Sequence, residues 1–235
     1  MPVDLMKNIP GEPAELHFRY ESTKPLVLFD LDGTLCEFRL ENQVYVDSQG
    51  NPRSWHFEDM YEQGYFAGLS PNTNVIDAVK MLIRNDEIEV GILTAVLTDA
   101  PYAAYEKLEW LRRFIPELNP HNIVLVGCGT NKGEQIINKN APVFLIDDYS
   151  KNLFNFEAAS SFETGQKIGI KIFNGINNTR GSWAKTGGKA VDGIGTVPAI
   201  DIADTIMTYI RDVITPEYFP ERNGPNRSKG DSERA

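Results

Sequence analysis

The chain has 235 residues, a length that suits one α/β domain with an insertion better than two full domains. Hydrophobic residues make up 41% and charged residues 24% of it, as in globular proteins that need neither disulfides nor a structural metal. The net charge of −10 argues against a partnership with duplex nucleic acid, since phosphate contacts need clustered lysine and arginine. The sequence has neither a membrane-spanning run nor a signal-peptide core, so we expect a cytoplasmic protein with no membrane partner.

The first strong element is a buried strand. Residues 1–24 form a lead-in whose alternating apolar residues predict a short edge strand or a segment lying on the domain. Pro25 then precedes the apolar run Leu26 to Phe29. A short apolar run between turn formers is typical of a strand in the middle of a parallel sheet.

This strand ends in two carboxylates, Asp30 and Asp32, followed by Gly33. Two acidic groups so close together repel each other, and a divalent cation such as Mg²⁺ would relieve the repulsion. Gly33 would allow a tight turn that aims a backbone carbonyl at the same ion. The alternative is an ordinary acidic turn, because the same pattern occurs in calcium loops and in turns.

Residues 36–70 are polar and rich in aromatic residues, and we interpret them as a small cap inserted after the first strand. Within them, Val44–Val46 and Arg53–Trp55 flank a turn-forming cluster and predict a hairpin. The alternative is a structured loop whose aromatic residues pack on one another. Four of these aromatic residues could stack on a planar substrate or could form the cap's own small core: Phe38, Trp55, Phe57 and Phe66.

The rest of the chain alternates helices with strands. The predicted helices lie at 73–84, 99–114, from Lys132 onward, 150–160 and 200–214, and the predicted strands at 88–93, 123–126, 143–146 and 167–173. In the second helix one face carries Tyr105, Leu108, Leu111 and Phe114. Residues 174–195 are glycine-rich and largely loop, and 216–235 form a disordered tail.

This alternation predicts a Rossmann-like, doubly wound α/β fold, with a parallel sheet and helices on both faces. Residues 25–35 and 71–215 would form the core domain. The carboxyl ends of its strands should converge on one site. The first strand supplies Asp30 and Asp32, the second ends in Thr94, the loop after the third supplies Lys132, and the fourth ends in Asp147 and Asp148. Carboxylates suit Mg²⁺, while a hydroxyl and a lysine suit a phosphate.

In this order, the motifs resemble those of the haloacid dehalogenase superfamily of phosphatases. Asp30 to Leu35 matches its first motif, Thr94 after Gly91-Ile92-Leu93 the second, Lys132 the third, and Ile146-Asp147-Asp148 the fourth. A narrower resemblance, to the 5′(3′)-deoxyribonucleotidases, is carried by three further stretches: Tyr65 to Pro71 followed by Ala78 to Met81, Pro101-Tyr102 with Tyr105-Glu106-Lys107 and Trp110, and Leu145 to Asp148.

The resemblance implies phosphoryl transfer through an aspartyl-phosphate. Asp30 would be the nucleophile and Asp32 the general acid and base. Mg²⁺ would be held by Asp30, the Asp32 backbone carbonyl and Asp147, with Asp148 either binding the ion directly or supporting a ligand. Three groups would bind the phosphate: the Thr94 hydroxyl, the Ala95 backbone N–H and the Lys132 ammonium.

The sequence therefore predicts a magnesium-dependent 5′-nucleotidase acting on deoxyribonucleoside or ribonucleoside monophosphates. Its partner would be a small phosphorylated substrate, and a homodimer stays open. Two alternatives remain. One is a phosphatase of another small phosphomonoester, such as a sugar phosphate. The other is a non-catalytic nucleotide-binding module, whose hallmark would be a missing nucleophile or acid.

Overall fold

A computed structural model describes residues 17–38, 44–46, 51–54, 56–175, 183 and 185–214. Its strands are β1 (Phe18–Arg19), β2 (Leu26–Phe29), β3 (Val44–Val46), β4 (Pro52–Ser54), β5 (Glu89–Val96), β6 (Ile123–Gly127), β7 (Ile136–Ile137), β8 (Val143–Asp147), β9 (Lys167–Phe173) and β10 (Ala190–Asp192). Its α-helices are α1 (Thr73–Ile83), α2 (Ala103–Phe114), α3 (Ser150–Ala158) and α4 (Ala199–Ile214). Trp55, residues 1–16 of the lead-in and the predicted tail at 216–235 lie outside the described residues.

Six parallel strands form the central sheet in the order β10-β9-β8-β2-β5-β6. Successive side chains of β2 point to opposite faces. Val27 and Phe29 join a core that includes residues of α1, α2 and α4, while Leu26 and Leu28 join one that includes residues of α3. All four are buried because helices cover both faces. The Rossmann-like α/β prediction is confirmed.

The lead-in does contain a short strand, but its partner lies outside the central sheet. β1 pairs in parallel with β7. The predicted helix from Lys132 is wrong, because residues 132–135 form a turn that leads directly into β7. The turn packs closely on α3, since a Cβ on Gly133 would lie 2.8 Å from the Cα of Phe156.

The two ends of the predicted cap meet. The Glu37 N–H donates to the Ser70 carbonyl over 2.8 Å, and the Asn72 N–H donates to the Leu35 carbonyl over the same distance. The predicted hairpin is present, with Val44 opposite Ser54 in the antiparallel pair β3–β4. A 3₁₀-helix follows at Phe57–Tyr61. That residues 36–70 act as a cap stays a prediction.

Three details of the core differ from the sequence-based expectation. β5 continues to Val96, so Thr94 lies inside the strand and does not end it. β10 adds a sixth strand within a segment expected to be largely loop. α2 begins at Ala103 and buries a face that carries Glu106 and Lys107, whereas Tyr105 is 66% exposed. Within the described residues, no helix combines the length and apolar character that crossing a membrane requires.

Candidate active site

The candidate site lies at the carboxyl edge of the central sheet. Asp30 directly follows β2, and its N–H donates to the Ile146 carbonyl of β8 over 2.9 Å. Asp147 ends β8 and Asp148 follows it. Because neighbouring parallel strands run in register, their polar ends come together. Three of the predicted site residues are thereby clustered, since carboxylate oxygens of Asp30, Asp147 and Asp148 lie within 4.8 Å of one another.

Lys132 neutralises part of this cluster. Its ammonium lies 2.7 Å from Asp30 Oδ1 and 2.8 Å from Asp147 Oδ2. The lysine side chain is 3% exposed, so water hardly screens either ion pair. Burial alone would lower the pKa of Lys132, but the two carboxylates outweigh burial and raise this pKa above its ordinary value. Lys132 is therefore a fixed positive charge.

Asp147 is held from several sides. Besides Lys132, it accepts hydrogen bonds from the Tyr149 N–H over 2.8 Å and from Asn152 Nδ2 over 2.9 Å. Burial raises the pKa of its carboxyl, and the Lys132 ammonium opposes that shift. The carboxylate is thus fixed in one orientation within the site.

Asp148 packs against the turn that follows β2. Gly33 has a φ of +81°, and a Cβ there would lie 2.7 Å from Asp148 Cγ, so glycine is required by conformation and by space. Asn174 Nδ2 bridges the two segments by donating to the Gly33 carbonyl and to Asp148 Oδ2, the latter over 3.3 Å. The buried Lys171 ammonium donates to the Asp148 backbone carbonyl over 2.7 Å. β9 and its end therefore brace this part of the site.

Asp32 has a lysine partner of its own, Lys107 on α2. The Lys107 ammonium lies 2.5 Å from Asp32 Oδ2 and 2.6 Å from the Ala95 carbonyl oxygen. It also lies 3.4 Å from the Thr94 hydroxyl, which joins the second predicted motif to the first. Burial raises the pKa of the Asp32 carboxyl, while Lys107 opposes that shift. The Cys36 thiol lies 4.0 Å from Asp32 Oδ1.

The donor set fits a hard divalent cation. Asp30, Asp147 and Asp148 offer carboxylate oxygens, which Mg²⁺ and Ca²⁺ prefer over nitrogen and sulfur. All three residues are buried, and buried carboxylates at such distances need positive charge nearby. Lys132 supplies one such charge. A bound cation would supply more, and the cluster does not by itself select the metal.

The predicted specificity residues differ in their surroundings. Phe38 is half-buried beside a small cluster that contains Met60 and Phe66. Phe66 is 3% exposed, and its ring centroid lies 4.7 Å from the Lys107 ammonium. Phe57 begins the 3₁₀-helix, and Trp55 lies outside the described residues. A role of these four residues in substrate binding stays a prediction.

Sequence reasoning missed the supporting roles of Lys107, Lys171 and Asn174. A signal for Lys107 was present, because Ala103, Lys107 and Trp110 recur at helical spacing and lie on the buried face of α2. A charged residue that lies on the same helical face as a tryptophan is expected to be buried and therefore to have a partner of opposite charge or a hydrogen-bond acceptor. Lys171 gave a weaker signal, as a lysine within an apolar strand.

Comparison with known proteins places this geometry in context. The family model described as "5' nucleotidase, deoxy (Pyrimidine), cytosolic type C protein" matches residues 40–178, which is more than half of the chain. The matched range contains Thr94, Lys132, Asp147 and Asp148.

Two curated relatives are both named "Putative 5'(3')-deoxyribonucleotidase". The protein of Staphylococcus epidermidis strain RP62A is 34% identical over 120 residues, covering 51% of this chain and 61% of that protein. The protein of strain ATCC 12228 is 34% identical over 99 residues, covering 42% of this chain and 49% of that protein. The chain thus spans less than two thirds of the length of either relative.

Proposed function

The chain belongs to the 5′ nucleotidase, deoxy (pyrimidine), cytosolic type C family, and from this premise we propose that it hydrolyses nucleoside 5′-monophosphates. The substrates would be deoxyribonucleotides or ribonucleotides, in line with the names of its relatives. We further propose that the reaction depends on Mg²⁺ and passes through an aspartyl-phosphate. The cytoplasmic location expected from the sequence stays a prediction.

One observation supports the proposal above all others, namely the pairing of two aspartates with two different lysines at one sheet edge. Asp30 lies 2.7 Å from Lys132, and Asp32 lies 2.5 Å from Lys107. The lysines hold the two carboxylates in separate environments. Such a separation lets one carboxylate act as a nucleophile while the other exchanges a proton.

A magnesium ion held by Asp30, the Asp32 backbone carbonyl and Asp147 would screen the attacking carboxylate from the phosphate and stabilise charge in the transition state. Asp148 would support this site directly or through its neighbours. Lys132 adds a positive charge from the protein itself, and its ion pair with Asp30 supports a role in binding a phosphate oxygen.

The chemical steps then involve the two aspartates that flank Leu31. A carboxylate oxygen of Asp30 attacks phosphorus, the bond from phosphorus to the ester oxygen breaks, and that oxygen takes a proton from Asp32. Water next attacks the phosphorus while Asp32 accepts its proton. The bond from phosphorus to Asp30 breaks, which releases inorganic phosphate and restores both residues. Thr94 and the Ala95 N–H would orient the phosphate oxygens during both steps.

The test is phosphate release from a panel of 5′- and 3′-deoxynucleotides, ribonucleotides and sugar phosphates, measured with Mg²⁺ and then with EDTA. We expect strong preference for nucleotides and loss of turnover with EDTA. Asp30→Asn should abolish turnover while circular dichroism shows an unchanged fold. Preference for sugar phosphates would support the proposed catalytic site but reject nucleotides as the substrates. Nucleotide binding without turnover would favour a non-catalytic binding module.

A further inference from the structure

The buried face of α2 carries two adjacent charged residues, Glu106 and Lys107, that face different segments. The Glu106 carboxylate accepts hydrogen bonds from three backbone N–H groups: that of Gly64 over 2.5 Å, that of Phe66 over 3.0 Å and that of Ala67 over 3.4 Å. We call residues 64–67 the return segment, because they lead from the insertion back to the core. Glu106 is 4% exposed, so these charge-assisted hydrogen bonds are shielded from water.

Lys107 reaches the proton-transfer residue of the proposed reaction. Its side chain is 1% exposed, and its ammonium donates to Asp32, to the Ala95 carbonyl and to the Thr94 hydroxyl. The ammonium has three donor hydrogens, and three acceptors surround it. Lys107 therefore fixes the Asp32 carboxylate relative to β5.

Phe66 connects these two charged residues. Its backbone N–H binds Glu106, while its ring lies under the Lys107 ammonium at 4.7 Å from nitrogen to ring centroid. This distance is within the range of a cation–π interaction. The next turn of α2 makes a further hydrogen bond just beyond the return segment, because Trp110 Nε1 donates to the Leu69 carbonyl over 2.8 Å.

We propose that Lys107 is the positioning residue for Asp32, and that the return segment, held by Glu106, keeps Lys107 in place through the ring of Phe66. The proposal rests on the proposed function and deepens it. The attachment of the insertion would then govern proton transfer as well as substrate binding. Phe66 would act on the rate through Lys107 and would not be a stacking surface for the base.

The first experiment separates proton transfer from general loosening. Lys107→Met and the conservative Lys107→Arg are compared with Lys139→Met, a change at an exposed lysine ahead of β8. We expect Lys107→Met to lower kcat for a nucleotide about 10- to 100-fold, with KM changed less than about threefold. Lys107→Arg should recover part of the rate. A tenfold rise in KM with unchanged kcat would overturn the proposal.

An aryl phosphate with an acidic leaving group sharpens this test. Its ester bond breaks with little help from a proton donor, whereas hydrolysis of the aspartyl-phosphate still needs Asp32 as a base. In Lys107→Met we therefore expect a burst of phenolate, close to one equivalent of enzyme, followed by slow turnover. A variant that is merely loosened would slow both phases, and the absence of a burst would contradict the role of Lys107.

The link through the return segment is tested with Glu106→Gln and Phe66→Leu. Glu109→Gln, at an exposed position of the same helix, is the matched control. Each of the two test variants should lower kcat more than it raises KM. Combined with Lys107→Met, Glu106→Gln should lower kcat hardly any further, because both act through one ammonium. If the two substitutions lowered kcat by the product of their separate effects, the link between the return segment and Lys107 would be overturned. If Phe66→Leu changed only KM, a role of Phe66 in stacking on the base would be favoured instead.

Hydrogen exchange provides a readout that needs no substrate. In Glu106→Gln, amides of residues 64–67 should exchange faster, and so should amides of residues 32–36, which contain the Asp32 turn. Faster exchange in the return segment alone would refute the link even if the enzyme is active. Wild-type protein without Mg²⁺-dependent turnover would instead refute the proposed function, and the exchange data would still decide whether the two segments are coupled.

Discussion

Replacing Lys132 with methionine should expose how strongly the acidic cluster depends on one ammonium. The substitution keeps most of the side-chain volume and removes a charge that contacts Asp30 at 2.7 Å and Asp147 at 2.8 Å. Removing one partner of a buried ion pair typically costs ~3–5 kcal/mol, because the other charge is left without compensation. Here two carboxylates lose their partner, although Asn152 still donates to Asp147. We therefore expect a loss of about 4 kcal/mol in the free energy of unfolding.

The loss should depend on pH with a definite sign. The pKa of Asp147 is raised by burial, and loss of the Lys132 ammonium raises it further. A carboxyl whose pKa is higher in the folded state binds more protons there than in the unfolded chain, so its variant gains stability as the pH falls. Lys132→Met should thus lie closer to wild type at pH 5 than at pH 8.

Urea unfolding of wild type, Lys132→Met and the control Lys139→Met at both pH values, in EDTA and then in Mg²⁺, provides the assay. Mg²⁺ should restore part of the stability of Lys132→Met, since a cation neutralises the same carboxylates. A loss below about 1 kcal/mol at pH 8 would show that the ion pairs contribute little beyond their desolvation cost. An equal loss at the two pH values would refute the role given to Asp147.

Three further predictions concern separate parts of the chain. Asp32→Asn should slow phosphate release by ~10²–10⁴-fold, and an unchanged rate would remove this residue from proton transfer. Burial lowers the pKa of Lys167 to about 8 from 10.5. The folded state loses this proton at a lower pH than the unfolded chain does. The stability of wild type relative to Lys167→Met should therefore rise as the pH is raised from about 8 to 10.5, and a flat difference would contradict this. Gly91→Ala would press a Cβ onto the Asn122 carbonyl and should cost ~1–3 kcal/mol in thermal unfolding, whereas Gly195→Ala, in open space, should be neutral.

The sequence predicts the central sheet well because its strands are buried on both faces. A continuous apolar run such as Leu26 to Phe29 has few other interpretations in a chain that alternates strands with helices. The order of the polar residues at the strand ends then places Asp30, Lys132 and Asp147 together, since parallel strands bring their carboxyl ends to one edge. The observed distances between these three residues agree with that reasoning.

The errors arise where distant contacts or buried charges override local pattern. The segment after Lys132 looks locally compatible with a helix, but β7 pairs with β1 more than a hundred residues away. The apolar residues of α2 alone predict a buried face that includes Tyr105, whereas the helix buries Glu106 and Lys107 against partners that lie far away in the chain. β10 has three residues, too few for periodicity to indicate a strand.

The pairing of β1 with β7 also bears on how the chain folds during synthesis. The His17 ring donates to the Glu134 carbonyl, a contact that spans 117 residues. During synthesis, β1 cannot pair until β7, which follows it by more than a hundred residues, has been made. Contacts of such sequence separation form slowly. The turn that carries Lys132 leads into β7, so we expect its closure to depend on this slow pairing, and until then the aspartates of the site lack the ammonium that neutralises them.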